Sequence, residues 1–124
     1  MKIVITGSRD FSDRKFLFTY LDRFHSLHSI SHLIQGGARG VDSLSREWAI
    51  ARNVRWSEYL ADWRMYGKFA GHLRNQQMIN QSPDAVIAFF SDPKNPSSGT
   101  SDCVARAKLA AIPVYFAHEL DNLK

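Results

Sequence analysis

The sequence predicts an α/β domain: a single three-layer unit over residues 1–124, built on a mostly parallel five-stranded sheet. Three observations carry that expectation. Short apolar, β-branched runs alternate with amphipathic helical stretches along the chain, and such alternation gives a parallel sheet with helices on both faces and right-handed crossovers. One run, Ala85-Val86-Ile87-Ala88-Phe89-Phe90, is apolar on both faces, as the centre of a parallel sheet requires. Three loops rich in Gly, Ser, Thr and Arg follow strands: Gly7-Ser8-Arg9, Gly36 to Gly40, and Ser97 to Thr100. In such a sheet they share the edge at the C-terminal ends of the strands, where ligands sit.

Lys2 to Thr6 is a compact β-branched run and reads as a buried strand. Ser12 or Asp13 can cap the helix that follows, in which Phe16, Leu17, Tyr20, Leu21, Phe24 and Leu27 form one apolar face. Ser31 to Gln35 is the second strand and Val41 to Arg52 the second helix, with Leu44, Trp48 and Ala51 on one side and Asn53 as its stop. Val54 to Tyr59 alternates as a third strand. Leu60 to Gly67 reads as an irregular aromatic loop, and Lys68 to Gln81 as a helix broken by Ser82-Pro83-Asp84. Ala85 to Phe90 is the fourth strand, and Ser91 to Ser98 a polar loop. A helix opens at Gly99-Thr100, and Ile112 to Phe116 is the last strand, with Pro113 near its start, where a missing N–H is tolerated. Ala117 to Lys124 is a short polar tail.

Bulk properties narrow the function classes. A hydrophobic fraction of 44% with 12% aromatics supports a real core. No apolar run approaches a membrane span, and Met1-Lys2 leads straight into a strand, so a cytoplasmic protein without membrane contact is expected. The lone Cys103 fits a reducing compartment. The net charge of +4 allows an anionic partner, yet no Lys/Arg run marks a dedicated nucleic-acid surface. His25, His28 and His32 have no carboxylate or thiol to complete a set, so neither a metal nor a cofactor is expected.

The stretch Gln35-Gly36-Gly37-Ala38-Arg39-Gly40-Val41-Asp42 concentrates the chemistry. Glycines allow close approach and φ > 0, the next helix points unpaired N–H groups back at the loop, and Arg39 adds a fixed charge. That combination suits a phosphate. A lone Gly-Gly reads more simply as a tight β–α turn; the other two loops shift the balance toward one shared cleft. Arg74 can hold a phosphate bidentately, and Asn75 can read a base edge or a ribose hydroxyl. Trp63 can stack on a base or plug the edge of the core. Asp42 can cap its helix or accept from a ribose hydroxyl.

The ordered set Gly7-Ser8-Arg9, Gly36 to Asp42, Trp48-Ala49, Trp63, Tyr66-Gly67-Lys68, Ala70-Gly71, Arg74-Asn75, Met78 and Gly99-Thr100 resembles the YspA-like branch of the SLOG superfamily, domains found in bacteria and phages. The resemblance spans nearly the whole chain. It implies a Rossmann-like fold whose cleft takes nucleotides or nucleotide-derived molecules, and relatives that pair as homo-oligomers through helices. The wider superfamily includes phosphoribohydrolases with a Pro-Gly-Gly-x-Gly-Thr-x-x-Glu motif. Here the stretch is Asn95-Pro96-Ser97-Ser98-Gly99-Thr100-Ser101-Asp102-Cys103, and Cys103 stands at the position of the catalytic glutamate. Asp102 is one residue off, about 100° around a helix axis. The phosphate grip of Ser98, Gly99 and Thr100 remains.

Three functions follow. The first is binding of a nucleotide-like small molecule by Gly7, Ser8, Arg9, Gly36, Gly37, Ala38, Arg39, Gly40, Asp42, Trp63, Arg74, Asn75, Ser98, Gly99 and Thr100, to sense or sequester it. The second is N-glycosidic hydrolysis of a nucleoside 5′-monophosphate with Arg74 and a carboxylate, Asp102 or Asp42, in the reacting roles. The third is single-stranded nucleic-acid binding, with Trp63 and Tyr66 as stacking platforms.

Overall fold

Ile3, Val4 and Ile5 are fully buried because the first strand lies at the middle of the sheet. The computed structural model describes residues 1–92 and 94–118. Within them β1 is Lys2–Gly7, β2 His32–Gln35, β3 Arg55–Glu58, β4 Ala85–Phe89 and β5 Val114–Ala117. The strand order is β3-β2-β1-β4-β5 and every pairing is parallel, a Rossmann-like arrangement. The helices are α1 (Arg14–His28), α2 (Val41–Ala51), α3 (Trp63–Tyr66), α4 (Ala70–Ile79) and α5 (Ser98–Leu109).

The period-2 alternation of the central strands sorts the helices into two layers. Ile3 and Ile5 of β1 face a cluster with Leu17, Tyr20, Leu21 and Phe24 of α1 and Val41 and Trp48 of α2. Val4 faces the other way, onto Met78 and Ile79 of α4 and Cys103 and Ala107 of α5. All five residues of β4 are buried, matching its unbroken apolar run. Trp48 also donates from Nε1 to Asp22 at 2.8 Å, and Asp22 holds Arg52 through two further bonds, so the two outer helices are laced together at one end.

Asp13 caps α1, its carboxylate accepting from the Phe16 N–H at 3.1 Å. One stretch differs from expectation. Leu60 to Gly67 is not wholly irregular: Asp62 accepts from the Met65 N–H and nucleates the single turn of α3, which continues as a 3-10 turn over Gly67–Phe69 before α4 begins at Ala70. The last strand pairs from Val114, because Pro113 contributes only its carbonyl, to the Val86 N–H. The polar tail beyond His118 lies outside the described residues. No described helix is long and apolar enough to cross a membrane.

Candidate ligand cleft

At the C-terminal edge the sheet order reverses between β1 and β4, and a cleft of about 490 Å³ opens there. Its floor is Ile5, Thr6 and Gly7 from the end of β1. One wall is the β2–α2 loop and Asp42, the other is α4 with the start of α5, and Trp63 stands at the rim. The three Gly/Ser/Thr/Arg loops picked out in the sequence all reach this cleft.

Glycine is dictated at two of these positions. Gly40 has φ +75°, and a Cβ there would sit 2.4 Å from the Ser8 carbonyl oxygen and 2.6 Å from that of Arg9. A Cβ on Gly7 would meet the Val41 side chain at 2.4 Å. The β1 and β2 loops therefore lie backbone on backbone, and the Val41 N–H donates to Ser8 O at 3.2 Å.

That contact changes the reading of the opening loop. Its amides do not present an empty anion nest. Gly37 N–H donates to the Gln35 side-chain oxygen and Ala38 N–H donates to Asp42 Oδ2 at 3.1 Å, and the nearby Gly36 amide favours the ionised form of the same carboxylate. Asp42 thus occupies the place a phosphate was expected to take. It is 7% exposed, and burial pushes its carboxyl up to about 6 against the opposing pull of the Ala38 amide and Arg74. Raised above its unfolded value of 3.8, Asp42 binds its proton more tightly in the native state, so its contribution favours the fold at low pH and is lost as pH rises from about 4 to 6. The difference in unfolding free energy between the native chain and Asp42→Asn is therefore expected to fall by about 3 kcal/mol across that window in urea titrations. A pH-independent difference would refute the raised carboxyl.

Arg74 is half-buried on α4 and turns back toward the loop. It donates from Nη1 to Gly36 O and from Nε to Asn75 Oδ1 at 3.0 Å. Gly36 makes room for it: a Cβ there would lie 2.1 Å from Nη1. Asn75 is 3% exposed, and its amide nitrogen donates to Gly99 O at 3.1 Å and Asp102 Oδ2 at 3.0 Å. Its amide is spent inside the protein, tying α4 to the start of α5. Arg74 and Asn75 face the cleft, but they also frame it.

Asp102 is not among the residues lining the cleft. It is held on the flank by Arg106 at 2.8 Å, Asn75, and His72 at 3.9 Å. Burial pushes its carboxyl up, and the Arg106 and Asn75 hydrogen bonds outweigh this and hold it below the usual range. Asp42 is the carboxylate of the two that does line the cleft. Cys103 points into the core, fully buried, and desolvation pushes its thiol up to about 12, which leaves it a packing residue.

The start of α5 is built differently from the sequence reading. Ser97 is the cap, its Oγ lying 2.7 Å from Thr100 Oγ1 and accepting from the Thr100 N–H. The Thr100 hydroxyl is thereby engaged and buried, whereas Ser98 and Gly99 face the cleft exposed. A Cβ on Gly99 would meet nothing within 4 Å. The fold does not require glycine there.

Four cationic side chains line the cleft, Arg9, Arg39, Lys68 and Arg74, with His72 beside them, against two acidic ones, Asp10 and Asp42. Trp63 is 49% exposed and so does not plug the core; the Arg9 guanidinium lies over its ring at 5.7 Å. His72 was not singled out from the sequence, Lys68 was named only within the family resemblance, and Ser97 only as the first residue of the third loop. The serine was legible as the first polar residue before a helix, while the other two depend on the turn that delivers them.

The fold is shared with DNA processing protein A from Streptococcus pneumoniae, at a TM-score of 0.71 and 16% identity over 93% of this chain. The present chain spans about half of that protein, 49% of its length. The Gene 61 protein of Mycobacterium phage D29 is 37% identical over 119 residues, which cover 91% of this chain and 93% of the phage protein. Residues 1–66, from β1 through both glycine loops to Trp63 and Tyr66, match the sequence pattern of a known family. That match covers more than half of the chain, and the chain belongs to the YspA, cpYpsA-related SLOG family.

Proposed function

We propose that this chain binds a nucleotide or nucleotide-derived anion in the cleft between β1 and β4. The observation that carries the reading is the convergence of Arg9, Arg39, Lys68 and Arg74 on one concavity that also receives the first turn of α5. A phosphate fits against the exposed Ser98 and Gly99 amides, where the helix dipole and the absent Cβ both favour it. In this reading Asp42 and Trp63, which both line the cleft, accept from a ribose hydroxyl and stack on a base respectively. Family membership and the shared fold support the same reading.

The test is calorimetry with nucleoside mono-, di- and triphosphates on the native chain and on Gly99→Ala. The added methyl meets no protein atom, so stability is expected to hold or to rise by up to about 1 kcal/mol. Nucleotide affinity is expected to drop at least about tenfold. Silence across the panel, or full affinity in the variant, would refute the phosphate placement.

Hydrolysis is the enzymatic form of this reading, with Asp42 as the acid/base group; free base released from AMP or its analogues tests it. A second reading, single-stranded nucleic acid, draws on the exposed Trp63 and Tyr66 beside Arg9 and on a structural neighbour named for DNA processing. A salt-sensitive gel shift with single-stranded DNA would favour it.

A further inference from the structure

The cleft does not stop at Trp63. A second concavity of about 610 Å³ continues from it along Gly36, Gly37, Leu60 and Ala61. The two share Arg9, Ala38, Arg39, Trp63 and Arg74, so the stretch common to both carries three guanidinium groups. The two ends differ in kind. The inner one is polar, with Asp42, Asn75 and the α5 amides. The outer one is bare glycine backbone and apolar side chain, with Leu60 exposed beside Trp63 and folded over Gly37, where a Cβ would meet it at 2.4 Å. Each is of a size that holds one small-molecule moiety.

We infer that the ligand is two-ended: two nucleoside-like halves joined by a diphosphate bridge, with the bridge running from the α5 amides to the shared arginines and one half in each groove. This rests on the nucleotide reading above. A mononucleotide carries its charge at one terminus and fills one groove; it leaves the apolar groove open and uses the arginines from one side only. A bridging diphosphate offers oxygens to both sides of the waist, where planar guanidinium forks suit it. The outer half then buries a planar face against Leu60 and Trp63, the end of the site with least polar demand.

Calorimetry with matched pairs tests this: each nucleoside 5′-monophosphate against the dinucleoside diphosphate of the same base. The expected result is binding at least about tenfold tighter for the two-ended member of one pair. Ala61→Trp, which fills the outer groove, and Leu60→Glu, at a well-exposed position that tolerates change, are each expected to reduce that advantage to about twofold or less. Equal affinity within every pair overturns the inference, as does an advantage that survives both variants. A single-stranded oligonucleotide whose affinity grows with length and exceeds that of the dinucleotide overturns it in favour of a strand. Monophosphate binding without the two-ended advantage leaves the nucleotide reading standing; no binding by any pair removes both.

Discussion

Replacing Gly40 by alanine is expected to destabilise the fold by about 3 kcal/mol or more and to lower the melting temperature by roughly 10 °C. Two costs add. The residue sits at φ +75° and ψ −126°, where side chains other than glycine are strained. Its new Cβ would also press on the Ser8 and Arg9 carbonyl oxygens, both backbone and both fixed by the turn after β1. Relief requires the two loops to separate, which breaks the Val41 N–H bond to Ser8 O and opens the floor of the cleft. Denaturant titration and differential scanning calorimetry read the loss. An alanine variant as stable as the native chain would show that the two loops do not pack backbone on backbone.

The second large effect concerns ligand affinity. Arg74→Lys keeps the charge and is still expected to weaken nucleotide binding by about 10- to 100-fold. A lysine has no planar fork to reach Gly36 O and Asn75 Oδ1 together, so the β2 loop and the start of α5 lose the side chain that sets their separation. Arg74→Ala adds a stability cost of about 2 kcal/mol, since a buried carbonyl and a buried amide lose a partner. Calorimetric affinity and urea midpoints measured on both variants separate positioning from charge. If Arg74→Lys binds nucleotides as tightly as the native chain, Arg74 acts as a point charge and not as a frame.

The fold was legible because its signals are periodic. The apolar run Ala85 to Phe89 could only be a strand buried on both faces, and the stripe Leu17, Tyr20, Leu21 and Phe24 only a helix against a sheet. The short α3 was missed because a single turn has no period to detect; only Asp62, three residues before Met65, announces it. The cleft's location followed from loops after strands. What each side chain does within it did not. Asp42, Arg74, Asn75 and Thr100 read as ligand contacts because they are polar residues in glycine-rich or capping contexts. Those same contexts supply internal partners, and here Ala38, Gly36, Gly99 and Ser97 take up much of their hydrogen-bonding capacity. Sequence spacing identifies which residues can meet, but not which bonds are already made when they do.

The sheet order also bears on how the domain comes to fold. β1 pairs with β2, a local partner, on one side and with β4 on the other, where Ile3 lies against Ala85 and Gly7 against Phe89. The first half of the chain can collapse as β1-α1-β2-α2-β3 while the far side of β1 waits for a strand that closes a very long loop. Closure of that kind is entropically expensive and slow. The walls of the cleft come from both halves, so no binding site exists until β1 pairs with β4. A ligand that grips both walls holds the two folding units together and is expected to slow unfolding across that pairing.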